Sequence, residues 1–174
     1  MQPMSQNPVA VAPEADDASV VAAALGRIPS GLFIVTWRHG DQDRGMLVSW
    51  LMQAGFEPPA VSVAVGRGRD LLDAIAAGRS FVVNVLAESQ RQLLGRFARP
   101  AEEAFAGLPL FRPPCGAAAF ADAAAWLECR PMIGRSLDAM PGGDHLLVVA
   151  EVTAAGGATG LPPLVHVRRS GLRY

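Results

Sequence analysis

Ser49, Trp50 and Gln53 stand within five residues of one another on an otherwise apolar run, GMLVSWLMQAGFEPP, residues 45–59. A strand that only filled a core has little use for a hydroxyl and an amide, because a buried polar group is costly unless it is partnered. The combination points to something polar and flat beside the strand. A second stretch, VAVGRGRDLLDAI at 63–75, runs from a strand through Gly66, Arg67, Gly68, Arg69 and Asp70 into a helix. Its glycines expose backbone N–H groups and its arginines add positive charge at a helix start, which favours a bound anion such as a phosphate. An ordinary strand-to-helix turn with solvated arginines is the other reading. The dinucleotide fingerprint G-x-G-x-x-G fails here, since its third glycine falls on Leu71. A third stretch, MPGGDHLLVVAEV at 140–152, puts Asp144 and His145 directly after a glycine-rich turn, at the mouth of a strand. A histidine so placed either reaches a ligand or is structural, and Asp144 beside it either biases its protonation or holds the turn.

Little else in the chain is equipped for hard chemistry. All 15 basic residues are Arg, so a Schiff-base lysine and the lysine-bearing phosphate loop are excluded. There is no G-x-S-x-G, and no Ser or Cys has a recognisable base nearby. Cys115 and Cys129 are too far apart for a C-x-x-C pair, and the three histidines and two cysteines show no metal-ligand spacing, so no bound metal is expected. The carboxylate pairs Asp41/Asp43 and Glu102/Glu103 read as solvated turn residues. An enzyme so furnished would need a cofactor that brings the chemistry with it.

The elements that must position these residues follow from pattern. The 174 residues are 51% hydrophobic and 18% charged with net charge -1, which suits one domain with a real core and gives no support to a nucleic-acid or membrane-surface role. Residues 1–15 read as a flexible leader without signal-peptide character, and 16–174 as the folded domain, expected in the cytoplasm. Asp16 and Asp17 suit a helix start, with Val20, Val21, Ala24, Leu25 and Ile28 on one face and a stop near Pro29. Strands are expected at 31–37, 45–52, 60–65, 81–86, 125–137, 145–155 and 163–169, with the turn RHGDQDRG closing a first hairpin. Short helices are expected at 69–78 and 89–98, and a long connection over 99–123. Six or seven strands with few helices predict a mainly β fold, a closed antiparallel sheet rather than a doubly wound parallel one.

The order of the motifs carries a resemblance. ALGRIPSGLFIVT, GMLVSWLMQAGFEPPAVSVAV, FVVNVLAESQRQLLGRFA, FAGLPL, AWLECR, GGDHLLVVAEV and PLVHVRRSGLRY come in series, and with them the chain over about 20–174 resembles the flavin reductase-like, split-barrel flavin-binding family. The resemblance implies a six- or seven-stranded antiparallel split β-barrel of Greek-key type with a few short peripheral helices, paired into a homodimer. It implies FMN, less often FAD, as cofactor and NADH or NADPH as hydride donor. The electrons would go to a free acceptor or a partner, a monooxygenase or a flavodiiron-type protein. By position, Met46, Leu47, Val48, Ser49 and Trp50 match the strand along the flavin, with Gln53 at the flavin's edge or the second subunit. Gly66, Arg67, Arg69 and Asp70 match the phosphate turn, Asn84 lies in the family's NVL segment, and Asp144 and His145 match the turn on the nicotinamide side. His145 is the one residue implied to act in catalysis, by positioning the nicotinamide.

There are departures. Many relatives carry Thr where this chain has Leu47 and Ser where it has Trp50, and SWLMQAGF is instead similar to the flavin reductase domain of cyanobacterial flavodiiron proteins. Arg67 or Arg69 would then take over phosphate contacts. Trp50 either walls off the flavin ring or closes the core. The alternative function is a non-enzymatic flavin-binding relay that a partner protein reduces.

Overall fold

Two strands joined by Gly40 and Asp41 begin the sheet in the structure, a computed structural model described for residues 18–99, 102–132, 142–157 and 160–172. The expected leader and the Asp16–Asp17 helix start lie outside those residues. Two compact units divide the described residues: Ser30–His166 is the larger, and residues 18–29 with 167–172 belong to the smaller. In the smaller unit, helix α1 (Ala18–Gly26) is met by the C-terminal segment: the Gly171 N–H donates to Ala22 O at 2.6 Å. A Cβ on Gly171 would lie 2.1 Å from Leu25 Cβ, so this approach requires glycine. Val20, Val21, Leu25 and Ile28 of the expected apolar face are exposed.

The larger unit carries strands β1 (Ser30–Gly31), β2 (Phe33–His39), β3 (Gln42–Val48), β4 (Leu51–Phe56) and β5 (Pro59–Gly66). Helix α2 (Asp70–Ala76), β6 (Phe81–Val85) and helix α3 (Leu93–Phe97) follow, with a 3-10 turn at Glu88–Gln90 before α3 and another at Glu102–Phe105 after it. The strands end with β7 (Leu110–Phe111), β8 (Ala119–Phe120), β9 (Ala125–Pro131), β10 (His145–Gly157) and β11 (Val165–His166). Seven of them make one antiparallel sheet in the order β3-β2-β6-β9-β10-β5-β4, while β1 pairs with β11 and β7 with β8.

The edges of that sheet are β3 and β4, yet only Ser49 and Trp50 separate them in the chain. Three virtual bonds of about 3.8 Å reach no further than roughly 11 Å, whereas seven flat strands would put the edges about 28 Å apart. The sheet must therefore curl until its edges nearly meet at Ser49–Trp50, which makes it a split barrel. Period-two alternation fills it: Phe33, Val35 and Trp37 of β2 join Phe81 and Val83 of β6, Val61, Val63 and Val65 of β5, and Leu71 and Ile75 of α2 in one core. The intervening Leu32 and Ile34 pack on the opposite face with Leu86, Leu93, Phe97, Phe120 and Leu164. Burial on both faces explains why β2 and β6 read as continuous apolar runs.

Four expectations are corrected. The strand expected over 45–52 is broken at Ser49–Trp50, because its two halves pair with different neighbours at opposite edges. The eight-residue turn shrinks to Gly40 (φ +59°) and Asp41, since Gln42–Arg44 continue the ladder against Trp37–His39. Asp43 is therefore no solvated turn residue. It sits on β3 and accepts hydrogen bonds from Arg112 (2.9 and 2.8 Å) and Arg38 (3.1 Å). The last strand contracts to Val165–His166. The second half of the strand expected over 125–137 lies largely outside the described residues.

Candidate functional site

Among the described residues β3 is an edge strand, paired with β2 alone, and such an edge offers backbone groups and side chains of both faces. Along that edge lies a cavity of about 180 Å³. Its walls are Asp43 to Leu47 of β3, Trp37 of β2, the turn residues Gly68, Arg69 and Asp70, the end of α3 from Phe97 to Arg99, and Ala104 with Phe105. Gly45 allows the aromatic wall to close in, because a Cβ there would meet Phe97 Cε1 at 2.9 Å and Phe105 Cζ at 3.0 Å. Arg44, Arg69 and Arg99 supply three guanidinium groups. Of the two carboxylates, Asp70 stands at the turn. Asp43 is neutralised in its clamp: the hydrogen bond from Arg112, helped by Arg38, holds its carboxyl below the ordinary value of 3.8 although burial opposes this. The cavity is basic on balance.

A second group of residues adjoins it. The register of β5 and β10 sets His145 opposite Gly66. The Arg67 N–H donates to Asp144 O at 2.9 Å and Arg67 Nε to Gly143 O at 2.6 Å, so the Gly66–Asp70 turn and the Gly142–Asp144 turn are held as one piece. Gly68 (φ +79°) and Gly142 (φ +80°) take the left-handed backbone that these turns need. The His145 ring packs against Trp50 with centroids 4.7 Å apart at 54°. Asp144 Oδ1 lies 3.0 Å from His145 Nδ1, an ion-pair distance, yet out of line for a hydrogen bond, so the buried Nδ1 lacks an aligned acceptor. The contact with His145 holds the exposed Asp144 carboxyl below its ordinary value. Arg69 joins the two groups: its Cγ and His145 Nε2 flank the same face of Gly66, at 3.9 and 3.6 Å from where a Cβ would stand, and Arg69 also lines the cavity.

The structure thus brings Met46, Leu47, Arg69 and Asp70 to the cavity, and Trp50, Gly66, Arg67, Asp144 and His145 together beside it. Ser49, at the corner where the edges approach, is 5% exposed and its Oγ has no partner among the described residues. Three residues stand elsewhere. Val48 points into the core. Gln53 is exposed on β4, its amide on Gly55 O at 3.3 Å. Asn84 is fully buried: its Nδ2 donates to Ile34 O (3.0 Å) and Thr36 Oγ1 (3.4 Å), and its Oδ1 accepts from the Phe120 N–H (2.8 Å). Sequence reasoning missed Trp37, Arg44, Phe97, Arg99 and Phe105. With the turn placed at Gly40–Asp41, Arg44 falls directly opposite Trp37, and that pairing was the available signal.

Burial pushes the Cys115 thiol up to about 11 and the Cys129 thiol up to about 12, so neither is a thiolate near neutral pH. Among the described residues no three His, Cys, Asp or Glu side chains gather as a metal site.

An antiparallel split barrel with a basic cavity along its free edge is the class that fold and site define. The chain belongs to the flavin reductase like domain family, which it matches over residues 25–172. It is 36% identical over 158 residues to diflavin flavoprotein A 1 of Synechocystis sp., covering 87% of this chain and 26% of that protein. The chain therefore spans about a quarter of the length of the curated relatives it matches. Among solved structures, the NADH:FAD oxidoreductase SgcE6 of Streptomyces globisporus, in complex with NAD and FAD fragments, aligns with a TM-score of 0.73 at 28% identity over 87% of each chain. The styrene monooxygenase flavin reductase of Pseudomonas putida S12 shares the fold, with a TM-score of 0.70 at 24% identity over 83% of this chain and 90% of that one.

Proposed function

We propose that this chain is a flavin reductase that binds FMN, with FAD as the alternative, and uses NADH or NADPH as hydride donor. Family membership and the NAD and FAD fragments in the Streptomyces oxidoreductase support the reading. The observation that carries it is the adjacency of the Arg-lined cavity on the β3 edge to the Trp50–His145 pair, bridged by Arg69.

The residues present fit a flavin. A buried hydroxyl without a partner is disfavoured by roughly 1–3 kcal/mol, so Ser49 Oγ is a group kept for something outside the chain. A ligand pocket generally measures about 300–1,000 Å³, and a cavity of about 180 Å³ suits one end of such a ligand, the phosphate end given its three guanidiniums. When bound, a flavin would supply the redox chemistry, as the acceptor for the nicotinamide's hydride. The chain's own residues bind and orient. Arg44, Arg69 and Arg99 would neutralise the phosphate, while Ser49 and the free backbone groups of β3 would hydrogen-bond the polar parts. Trp50 would give a flat apolar wall, which departs from the hydroxyl residue of many relatives. His145, held between Trp50 and Asp144, would orient the nicotinamide, and no protein nucleophile or general base is needed.

The acceptor, a monooxygenase, a flavodiiron-type protein or free flavin, belongs to the same proposal, as do a homodimer and a cytoplasmic site of action. Stopped-flow bleaching of bound flavin with NADH and with NADPH is the direct test. Bleaching with either supports the reading, and a tightly flavinated protein inert to both turns it into an electron relay. His145→Ala is expected to slow bleaching about tenfold or more with flavin affinity retained, and unchanged bleaching would remove His145 from the site.

A further inference from the structure

We propose that the indole N–H of Trp37 is a ligand-binding donor, directed to a phosphate oxygen held in the cavity on the β3 edge; this rests on the flavin reading above. Trp37 is 4% exposed and its Nε1 has no acceptor among the described residues. Of the described side chains that bury an unpartnered polar atom, namely Ser30, Trp37, Ser49, Gln90 and His145, Trp37 alone lines the cavity. Its neighbours on the same face of β2, Phe33 and Val35, are hydrocarbon, so a phenyl ring would continue the row without importing a donor. An indole here costs the empty protein a buried, unsatisfied N–H, which a bound acceptor recovers.

The acceptor's chemistry follows from what stands around it. Arg44 is the cross-strand partner of Trp37, so the two side chains leave the hairpin on the same face, with Cβ atoms about 5 Å apart. Arg69 and Arg99 share the cavity, and the Asp43 carboxylate is occupied by Arg112 and Arg38. A neutral N–H beside guanidinium groups, in a cavity too small for a whole flavin, suits a phosphate monoester.

Trp37→Phe deletes the donor and keeps an aromatic ring. For the full chain, FMN and riboflavin affinities are measured by titration, and thermal unfolding is followed without ligand. The expected result is about tenfold weaker FMN binding, unchanged riboflavin binding, and an empty protein as stable as wild type or more so. Unchanged FMN affinity overturns the assignment, and so does equal weakening of FMN and riboflavin, which would move the contact away from the phosphate. Wild-type protein that binds neither FMN nor FAD overturns the flavin reading itself and this assignment with it. A second measurement needs no variant. The Trp37 indole ¹H–¹⁵N signal should shift on titration with inorganic phosphate while that of Trp126, packed against Phe111, stays in place. A Trp37 signal that does not move counts against the proposal.

Discussion

Asn84 and Ser49 show how a buried polar residue with partners inside the protein differs from one that has none among the described residues. Both are buried polar residues in apolar strand sequence, and both belong to motifs that resemble flavin-binding segments. Asn84 has its partners inside the protein, since its amide ties β2 to the β7–β8 hairpin through Ile34 O and the Phe120 N–H. Replacing it by Ala leaves those groups buried and unpaired. Asn84→Ala should therefore lose on the order of 2–4 kcal/mol in urea unfolding, while the remaining folded protein titrates flavin with wild-type affinity. Intact stability with weakened flavin binding would place Asn84 back in the site. Ser49 has no such partner among the described residues. The sequence marked Ser49 as out of place and reached Asn84 only through the resemblance, and it could not divide them, because the deciding groups of Asn84 lie 36 and 50 residues away. The same limit hid Trp37, whose unsatisfied N–H is visible only once the core around it is assembled.

At the level of elements, the β2–β3 hairpin does more than its sequence suggests. Polar residues at 38–44 read as a loop, yet the ladder runs through them and sets Asp43 where Arg38 and Arg112 can hold it. This clamp ties the segment after β7 to the wall of the cavity. Asp43 has a folded value below its unfolded value near 3.8, so its contribution to stability is present above about pH 4 and is lost as pH falls through the folded value. Asp43→Asn should therefore lower stability by about 1 kcal/mol at pH 7, a modest figure because Arg112 is about half exposed, and the difference from wild type should shrink below pH 4. Unfolding midpoints of the two proteins at pH 7 and pH 3 check this, and a difference that stayed constant would deny the clamp its role. Other elements were legible: β5, β6, α2 and β10 follow from local pattern within a few residues. The break at Ser49–Trp50 was not, because it is imposed by pairing with β2 on one side and β5 on the other.

The whole molecule leaves its two sheet edges in different conditions. The β3 edge is backed by Phe97 and Phe105 and carries the cavity, whereas the β4 edge presents Met52, 67% exposed, and Phe56, 88% exposed. Family membership was legible across the chain because seven weak motifs in fixed order constrain one another. Oligomeric state and acceptor were not, since they depend on surfaces, and the curated relatives are about four times as long. An edge strand with bulky apolar side chains in water invites association, which proteins ordinarily suppress with charge, proline or a bulge. Here a bulge between Gln53 and Gly55 bends the strand, yet Phe56 remains exposed, which suits a partner surface better than a protected edge. If two copies pair through it, an interface of at least about 1,000 Å² must form around Phe56, and a charge there would be buried without a partner. Sedimentation velocity should then show a dimer for the wild type and a monomer for Phe56→Glu, with the thermal midpoint of the monomer independent of flavin-free protein concentration. A wild type that sediments as a monomer at tens of micromolar would remove the dimer from the proposed function, and a Phe56→Glu variant that stayed dimeric would move the interface off β4.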